Sequence, residues 1–305
     1  MTTQRLDGIQ WLNRELTQLD LTKYWTEYPA KKARTLFPID TSVGKGFKKY
    51  MYKLYNRTGI AKIMNSKAVD VPKLNIFAQE FEGKVFEMMI GQDFSFQDLD
   101  VAARNNASLD ADFMVQGREA HIFKENDVAF YGDSENGLDG LTINANIGTT
   151  AAPVGALGSA LWTGASAKTA AEVYADVAAM IDSVNTETKG THVATAVAFP
   201  LSARPQLNQV FSTLSGKSVL AQLKENFPEI KMWEFVNEFE TTGTGATRQM
   251  FAYDMVPEVI RLMVPFETEP TPAVPTGIGY EVSARMGIAG VNIRKPLAIQ
   301  SYYGF

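Results

Sequence analysis

Two histidines, His121 and His192, are the chain's only side chains that titrate near neutral pH by type. His121 lies in REAHIFKEN and His192 opens the apolar run VATAVAF (193–199). Neither has a second His or a Cys at ligand spacing, so the pattern supplies no transition-metal site. A Ser-His-Asp triad stays open by count, although no Gly-x-Ser-x-Gly elbow accompanies either histidine. Both read as polar residues satisfied by local hydrogen bonds. GTGATR (243–248) has the glycines of a phosphate loop but not its Lys-Ser/Thr, and suits a hairpin tip between strands. GDSENGLDG (132–140) alternates acids as a calcium loop does. Counted from Asp133, however, it has no Gly at the sixth position, and Ile143 or Asn144 stands where the closing Glu belongs, so it reads as a turn. The Lys/Tyr interleaving at 45–57 is the only basic–aromatic patch, and on a ribbon it points to a subunit contact rather than base stacking.

These residues sit on elements that the periodicity outlines. Residues 1–45 form an extended arm with at most one short helix, marked by Trp11, Leu12, Leu16, Leu19 and Leu21. Its aromatics, among them Trp25, Tyr28 and Phe37, are too many for a free tail and must lie against another surface. Residues 46–92 alternate as a long hairpin with a turn at Asn56–Gly59 and a break at Asp70-Val71-Pro72. Ser95 and Asp98 open a helix in the manner of a capping box, Asn105-Asn106 interrupts it, and Ser108 caps a second helix running to about Asp127. At ~1.5 Å per residue that helix is roughly 30 Å long.

A loop-rich stretch, 131–168, precedes a helix at 169–188 capped by Thr169 and Glu172, then a strand at 193–199. Helices are expected at 206–211 and 218–227, and strands at Lys231–Phe235 and Arg248–Tyr253 flanking the tip TTGTGAT. EPTPAVPTG (269–277) reads as an extended linker to a terminal pair of strands, 280–287 and 290–299. The order implies an α+β fold in which the last strands return to pack near the long helix.

Composition narrows the function. The 305 residues are 45% hydrophobic and 21% charged, as in ordinary folded proteins, which excludes disordered, collagenous and coiled-coil classes. The absence of cysteine removes disulfides, iron–sulfur clusters, thiolate zinc and a thiol nucleophile. No apolar h-region opens the chain and no run approaches the ~18 apolar residues of a membrane span, so a soluble protein without a secretory signal is expected. Residues 1–67 hold 13 basic and 5 acidic residues, a net of +8, which leaves −13 for the rest. A basic arm on an acidic body favours contact between identical copies over a dedicated nucleic-acid binder.

Several strings, in order, resemble the tailed-bacteriophage major capsid proteins of the Hong Kong 97-type fold, which encapsulin nanocompartment shells share. YNRTGIAKIMNSKAVDVPKLNIFAQEFEGKVFEMMI (55–90) resembles the family's E-loop hairpin. Residues 95–144 resemble its run into the spine helix, with Arg-x-Ala-x-x-x-x-Glu-Asn-Asp, an aromatic-Gly-Asp turn and Gly-Leu-x-Gly-Leu. SVLAQLKENFP (218–228) resembles its A-domain helix, and GYEVSARMGIAGVNIRKPLAI (279–299) its final P-domain strands.

The resemblance implies an N-terminal arm (1–45), an E-loop hairpin (46–92), a P-domain with the spine helix (93–144), an A-domain (145–268) and P-domain closing strands (269–305). It implies a structural subunit with no catalytic residue, cofactor or metal, forming pentamers and hexamers of identical subunits. The icosahedral shell would enclose double-stranded DNA non-specifically, be built in the host cytoplasm with separate scaffold and portal proteins, and touch no membrane. Inter-subunit contacts are expected at Trp11, Trp25, Phe37, Tyr50, Tyr52, Lys53, Arg57, Lys62, Lys67, Thr244 and Arg248. Lys62, Lys67, Lys73 and Asn292 are of the types that some relatives cross-link, but no third residue is assigned and the lysines read as solvated. The alternatives are an encapsulin-like shell, and a hydrolase or binding enzyme, which predicts a monomer or small oligomer with a deep polar pocket.

Overall fold

The computed structural model describes residues 28–63, 73–104, 109–211 and 216–305. Contacts divide the chain into Met1–Ala30 and a body from Lys31 to Phe305, and the fold is that of the body. It begins with a single helical turn, α1 (Ala33–Leu36), and a short strand, β1 (Ile39–Asp40). Strands β2 (Lys49–Thr58) and β3 (Asn75–Lys84) pair antiparallel over ten residues, Lys49 opposite Lys84 and Thr58 opposite Asn75. The expected ribbon is therefore present. Its chain reversal is not at Asn56–Gly59, because Asn56, Arg57 and Thr58 all remain in β2, and the Asp70-Val71-Pro72 break lies outside the described residues. A break at Val85 separates β3 from β4 (Phe86–Ser95), which leaves the ribbon for another sheet.

Ser95 accepts from the Asp98 N–H while Asp98 accepts from Ser95 N, the reciprocal box that starts α2 (Phe96–Arg104). The long helix expected as the spine helix, α3 (Leu109–Tyr131), has 23 residues and runs four beyond the expected end at Asp127. Gly132 stops it in a left-handed conformation, φ +69°, its N–H returning to Val128 O at 2.9 Å. Asp133 then accepts from the backbone N–H groups of Glu135 and Asn136, and exchanges backbone hydrogen bonds with Leu138. The acidic run is thus a turn, as its spacing predicts, with the Asp133 carboxylate occupied by backbone. Gly140 closes the turn against the helix end: a Cβ there would lie 2.3 Å from Gly132 N and 2.5 Å from Phe130 O. Gly140→Ala is expected to cost on the order of 3 kcal/mol, because the obstacle is backbone and cannot swing aside. Denaturant unfolding of the variant, with Gly137→Ala alongside it for comparison, measures this.

The remaining elements are β5 (Gly148–Ala151), α4 (Ala170–Glu187), β6 (Ala196–Pro200), α5 (Arg204–Leu207), α6 (Val219–Asn226), β7 (Met232–Val236), β8 (Gln249–Tyr253), β9 (Ile260–Met263), β10 (Glu269–Pro270), β11 (Val274–Thr276), β12 (Gly279–Ile288), β13 (Val291–Ile293) and β14 (Ile299–Tyr303). Five strands form one sheet in the order β5-β14-β8-β6-β7. Both of its faces are covered, so β6 and β8 are buried at every position and read as continuous apolar runs. Val197, Phe199, Met250 and Ala252 face α4, whose Val173, Val177, Met180, Ile181 and Val184 form its buried stripe. Ala196, Ala198, Phe251 and Tyr253 face the opposite way, into a core shared with α1, the end of the spine helix and β9. One sheet is therefore the wall between two cores. Thr169 and Glu172 make the expected capping box on α4.

Four local expectations are corrected. β7 and β8 do not form a hairpin around the Gly-rich tip: β6 lies between them, parallel to β7 and antiparallel to β8, and a 3-10 turn (Asn237–Glu240) carries the chain across. The tip itself closes on a Gly243–Thr247 bridge. The Pro-rich segment is not a linker. β10 and β11 follow one another along one edge of β12, where Pro270 and Pro275 are tolerated because the N–H that proline lacks faces away from the ladder. The last strands do not pair with each other, since β12 runs along β4, β13 along β9, and β14 enters the five-stranded sheet between β5 and β8. The helix expected at 206–211 is α5, two residues earlier, with Pro205 in its first turn.

Candidate inter-subunit surfaces

The ribbon is anchored at its root by its aromatic face. Tyr50, Tyr52 and Leu54 share one face, and Lys49, Met51, Lys53 and Tyr55 the other. Asn292 on β13 donates its Nδ2 to the Tyr50 hydroxyl at 2.9 Å, and the Arg294 guanidinium lies 4.8 Å from the centre of the Tyr52 ring. Tyr52 also stacks on its cross-strand partner Phe81, centroids 5.2 Å apart. Burial raises the pKa values of both tyrosines, against the Asn292 hydrogen bond at Tyr50 and the Arg294 charge at Tyr52. Tyr50→Phe leaves the Asn292 amide without its acceptor and is expected to cost about 1–2 kcal/mol. A parallel loss of hydrogen-exchange protection along β2 would show that this contact holds the ribbon.

Beyond the root the ribbon is exposed. Lys53 pairs with Glu80 at 2.8 Å, directly across the strands, and Lys49 with Glu82 at 3.2 Å. Arg57 and Lys62 are exposed. Tyr55, Ile76 and Phe77 are each about 60% exposed, and Ile63 is fully so. A two-stranded ribbon that presents this much apolar surface lacks the cover that makes such strands stable.

Phe37, expected at an interface, instead belongs to the interior of its own chain. It is 1% exposed and packs on Phe130 and Tyr253, with centroids at 5.8 and 6.3 Å. The segment around it is held by polar contacts that the sequence reading missed. Arg34 makes a bidentate pair with Glu125, which is wholly buried in the spine helix, and a second pair with Glu267. Burial opposes the Arg34 charge, but the bonds to Glu125 and Glu267 outweigh it and raise its pKa. Burial also raises the Glu125 pKa despite Arg34. Next to it, Asn126 Oδ1 accepts from the Lys32 and Ala33 N–H groups, which α1 leaves unpaired, and its Nδ2 donates to Glu238. Tyr253 OH donates to Leu36 O at 2.8 Å. The available signal was the Glu-Asn pair within the helix string, polar side chains on a face that must be covered.

Thr244 is exposed at the tip of the 241–247 loop. Arg248, at the loop's end, donates to Thr163 Oγ1 at 3.1 Å and to Ser202 Oγ at 3.4 Å, in an open concavity of about 520 Å³ that Glu240 and Phe305 also line. Trp11, Trp25 and Lys67 lie outside the described residues. Asn292 is 5% exposed, committed to the ribbon root.

The histidines are built into the fold. His121 is 3% exposed, with Nδ1 3.1 Å from Thr268 Oγ1; its Nε2 is buried without a partner, so the expectation of full local satisfaction holds for one nitrogen only. Burial lowers its pKa. His192 precedes β6 rather than opening a strand. Its Nδ1 is 2.9 Å from Asp254 and its Nε2 3.4 Å from Lys295 Nζ, so a cation stands where a triad places its hydroxyl. Among the described residues no group of three His, Cys, Asp or Glu could hold a metal ion, and no helix is long and apolar enough to cross a membrane.

The sequence profile of the family described as Major capsid protein matches residues 59–303. The chain belongs to the major capsid protein family. Among solved structures it is similar to the capsid of Myoviridae phage XM1, with a TM-score of 0.79 at 16% identity over 96% of this chain and 98% of that one. The capsid of the native GTA particle gives 0.65 at 10% identity over 94% of each chain. The virus-like particle from Pyrococcus furiosus gives 0.50 at 13%, over 88% of this chain and 90% of that one. No curated protein matches the sequence. The fold is of the Hong Kong 97 type. In this capsid protein Glu125 and Asn126 hold the segment around α1 to α3, and Tyr50 and Tyr52 hold the ribbon's root.

Proposed function

We propose that this capsid protein is the shell subunit of a tailed bacteriophage. It assembles through pentamers and hexamers into an icosahedral shell that encloses double-stranded DNA, in the host cytoplasm, with separate scaffold and portal proteins. The domain boundaries given by the resemblance belong to this proposal, as does a structural role without catalytic group or cofactor. The exposed apolar ribbon carries the reading, because it needs a surface that a single subunit does not supply. Arg57, Lys62, Thr244 and Arg248 are the described contact residues it retains, with Tyr50, Tyr52 and Lys53 setting the ribbon's attitude. An acidic body holds packaged DNA loosely, which suits filling and release.

Negative-stain electron microscopy of the purified protein, alone and co-expressed with candidate scaffold proteins, tests this. Shells, tubes or five- and six-membered rings are expected, and a monomer under every condition would overturn the proposal. The likeness to the virus-like particle leaves a second reading, a compartment shell around protein cargo. Particles whose absorbance shows protein contents and no nucleic acid would favour it.

A further inference from the structure

Asn136-Gly137 is the only Asn-Gly pair in the sequence, and it lies exposed in the turn that follows α3. An asparagine before glycine is chemically reactive. The following backbone nitrogen can close a five-membered ring on the side-chain carbonyl carbon, and glycine has no Cβ to obstruct the approach. The turn spares that nitrogen. Asp133 and Leu138 exchange the backbone hydrogen bonds, and the Glu135 and Asn136 N–H groups donate to the Asp133 carboxylate, while the Gly137 N–H donates to no described residue. Gly137 adopts φ +69°, a conformation that favours glycine.

Two contacts act on the pair. Asn136 Nδ2 donates to Asp133 Oδ2 at 2.9 Å, which keeps the side-chain amide on the turn rather than in solvent. Hydrogen bonds from the Asn136 side chain and backbone hold the Asp133 carboxyl below its usual range, so it is an anion. The Lys84 ammonium, at the end of β3, donates to Asn136 O at 3.2 Å. That oxygen belongs to the peptide whose nitrogen is Gly137 N. A cation on it draws electron density from the amide and stabilises the negative charge that develops when the Gly137 proton leaves. A Cβ on Gly137 would stand 3.3 Å from the same ammonium.

We propose that Asn136 is a self-modifying site, converted to aspartate and isoaspartate through attack of Gly137 N, with Lys84 as the group that promotes it. The Gly137 proton passes to water, a bond forms between Gly137 N and Asn136 Cγ, and the Cγ–Nδ2 bond breaks as ammonia leaves with a proton. Water then opens the cyclic imide at either carbonyl. The net change is water in and ammonia out, a gain of about 1 Da. Both products place a carboxylate where Asp133 had a donor, so the two anions repel and Lys84 is the cation at hand. The isoaspartyl product also lengthens the main chain before Leu138, which is buried with Val128 and Ile288. The reaction needs no neighbouring copy. To test it, purified protein is kept at mildly alkaline pH and sampled over weeks, and the peptide holding Asn136 is followed by mass and chromatography. Wild-type protein is expected to gain the mass and split into two forms, and Asn136→Gln to do neither. Lys84→Gln, a change on an exposed side chain, is expected to slow the reaction several-fold, and Lys84→Arg to keep most of it. The chain in guanidinium chloride gives the rate that sequence alone sets, and Lys84→Gln is expected to leave that rate unchanged. Folded wild-type protein that stays unmodified while the denatured chain converts overturns the site. Folded Lys84→Gln that reacts as fast as wild type overturns the part given to Lys84.

Discussion

Phe37→Ala is expected to destabilise the subunit by about 3–5 kcal/mol, the cost of removing a fully buried aromatic ring and leaving a cavity. The ring joins three elements that are distant in sequence: the arm's end, Phe130 on the spine helix and Tyr253 on β8. Its loss opens the core on the far side of the five-stranded sheet from α4. Phe47→Ala is the control, since Phe47 is 62% exposed and a surface truncation of this kind stays within about 0.5 kcal/mol. Denaturant midpoints for the two variants separate a core residue from an interface residue. Equal midpoints would place Phe37 outside the core.

Arg34→Ala is expected to cost roughly 3 kcal/mol, because it strands Glu125 as a buried carboxylate without its cation. Arg34→Lys restores only part of this, since an ammonium does not reproduce the two-pronged contact with a carboxylate. The deficit depends on pH in a defined direction. Burial already holds the Glu125 pKa above its ordinary value in the folded protein, and removing Arg34 removes what opposes that shift. A carboxyl whose folded pKa is raised binds its proton more tightly folded than unfolded, so stability falls as pH rises through and above the ordinary carboxylate range. The variant is therefore closest to wild type near pH 4 and furthest from it at pH 8. A deficit that is flat across this interval would mean that Glu125 is not the charge being uncovered.

Both variants act on residues 31–40, the part of the chain whose role was least legible. That segment shows no sustained period, so local sequence gave reason only to expect aromatic contact with some surface. Which surface depended on Glu125 and Asn126, some 90 residues away, and on Tyr253, more than 200 away. Lone polar residues on a helix read as solvated until the segment that covers them is in place. The candidate contacts divide in the same way. The Tyr/Lys alternation of β2 reads as a subunit contact, yet Tyr50 and Tyr52 meet Asn292 and Arg294 of their own chain, and Phe37 has the same aromatic character as an interface residue and lies in the core.

By itself the sequence determined what short-range physics controls: the capped amphipathic helix at 170–187, the capped start of α2, the long helix though not its end at Gly132, the alternating ribbon, the charge split, and a family resemblance carried by the order of strings. These depend on periodicity, on side chains three residues apart and on the backbone freedom of glycine, all of which lie within one or two turns of chain. Tertiary structure alone decided strand partnership. β6 and β8 are apolar on both faces, so nothing in either strand indicates which neighbour lies on which edge. The Pro-rich segment became a sheet edge only because β12 offered one, and β14 reached the five-stranded sheet by pairing with β5, about 150 residues earlier. Such pairings are selected by the closure of two cores at once, a property of the whole chain that no local window contains.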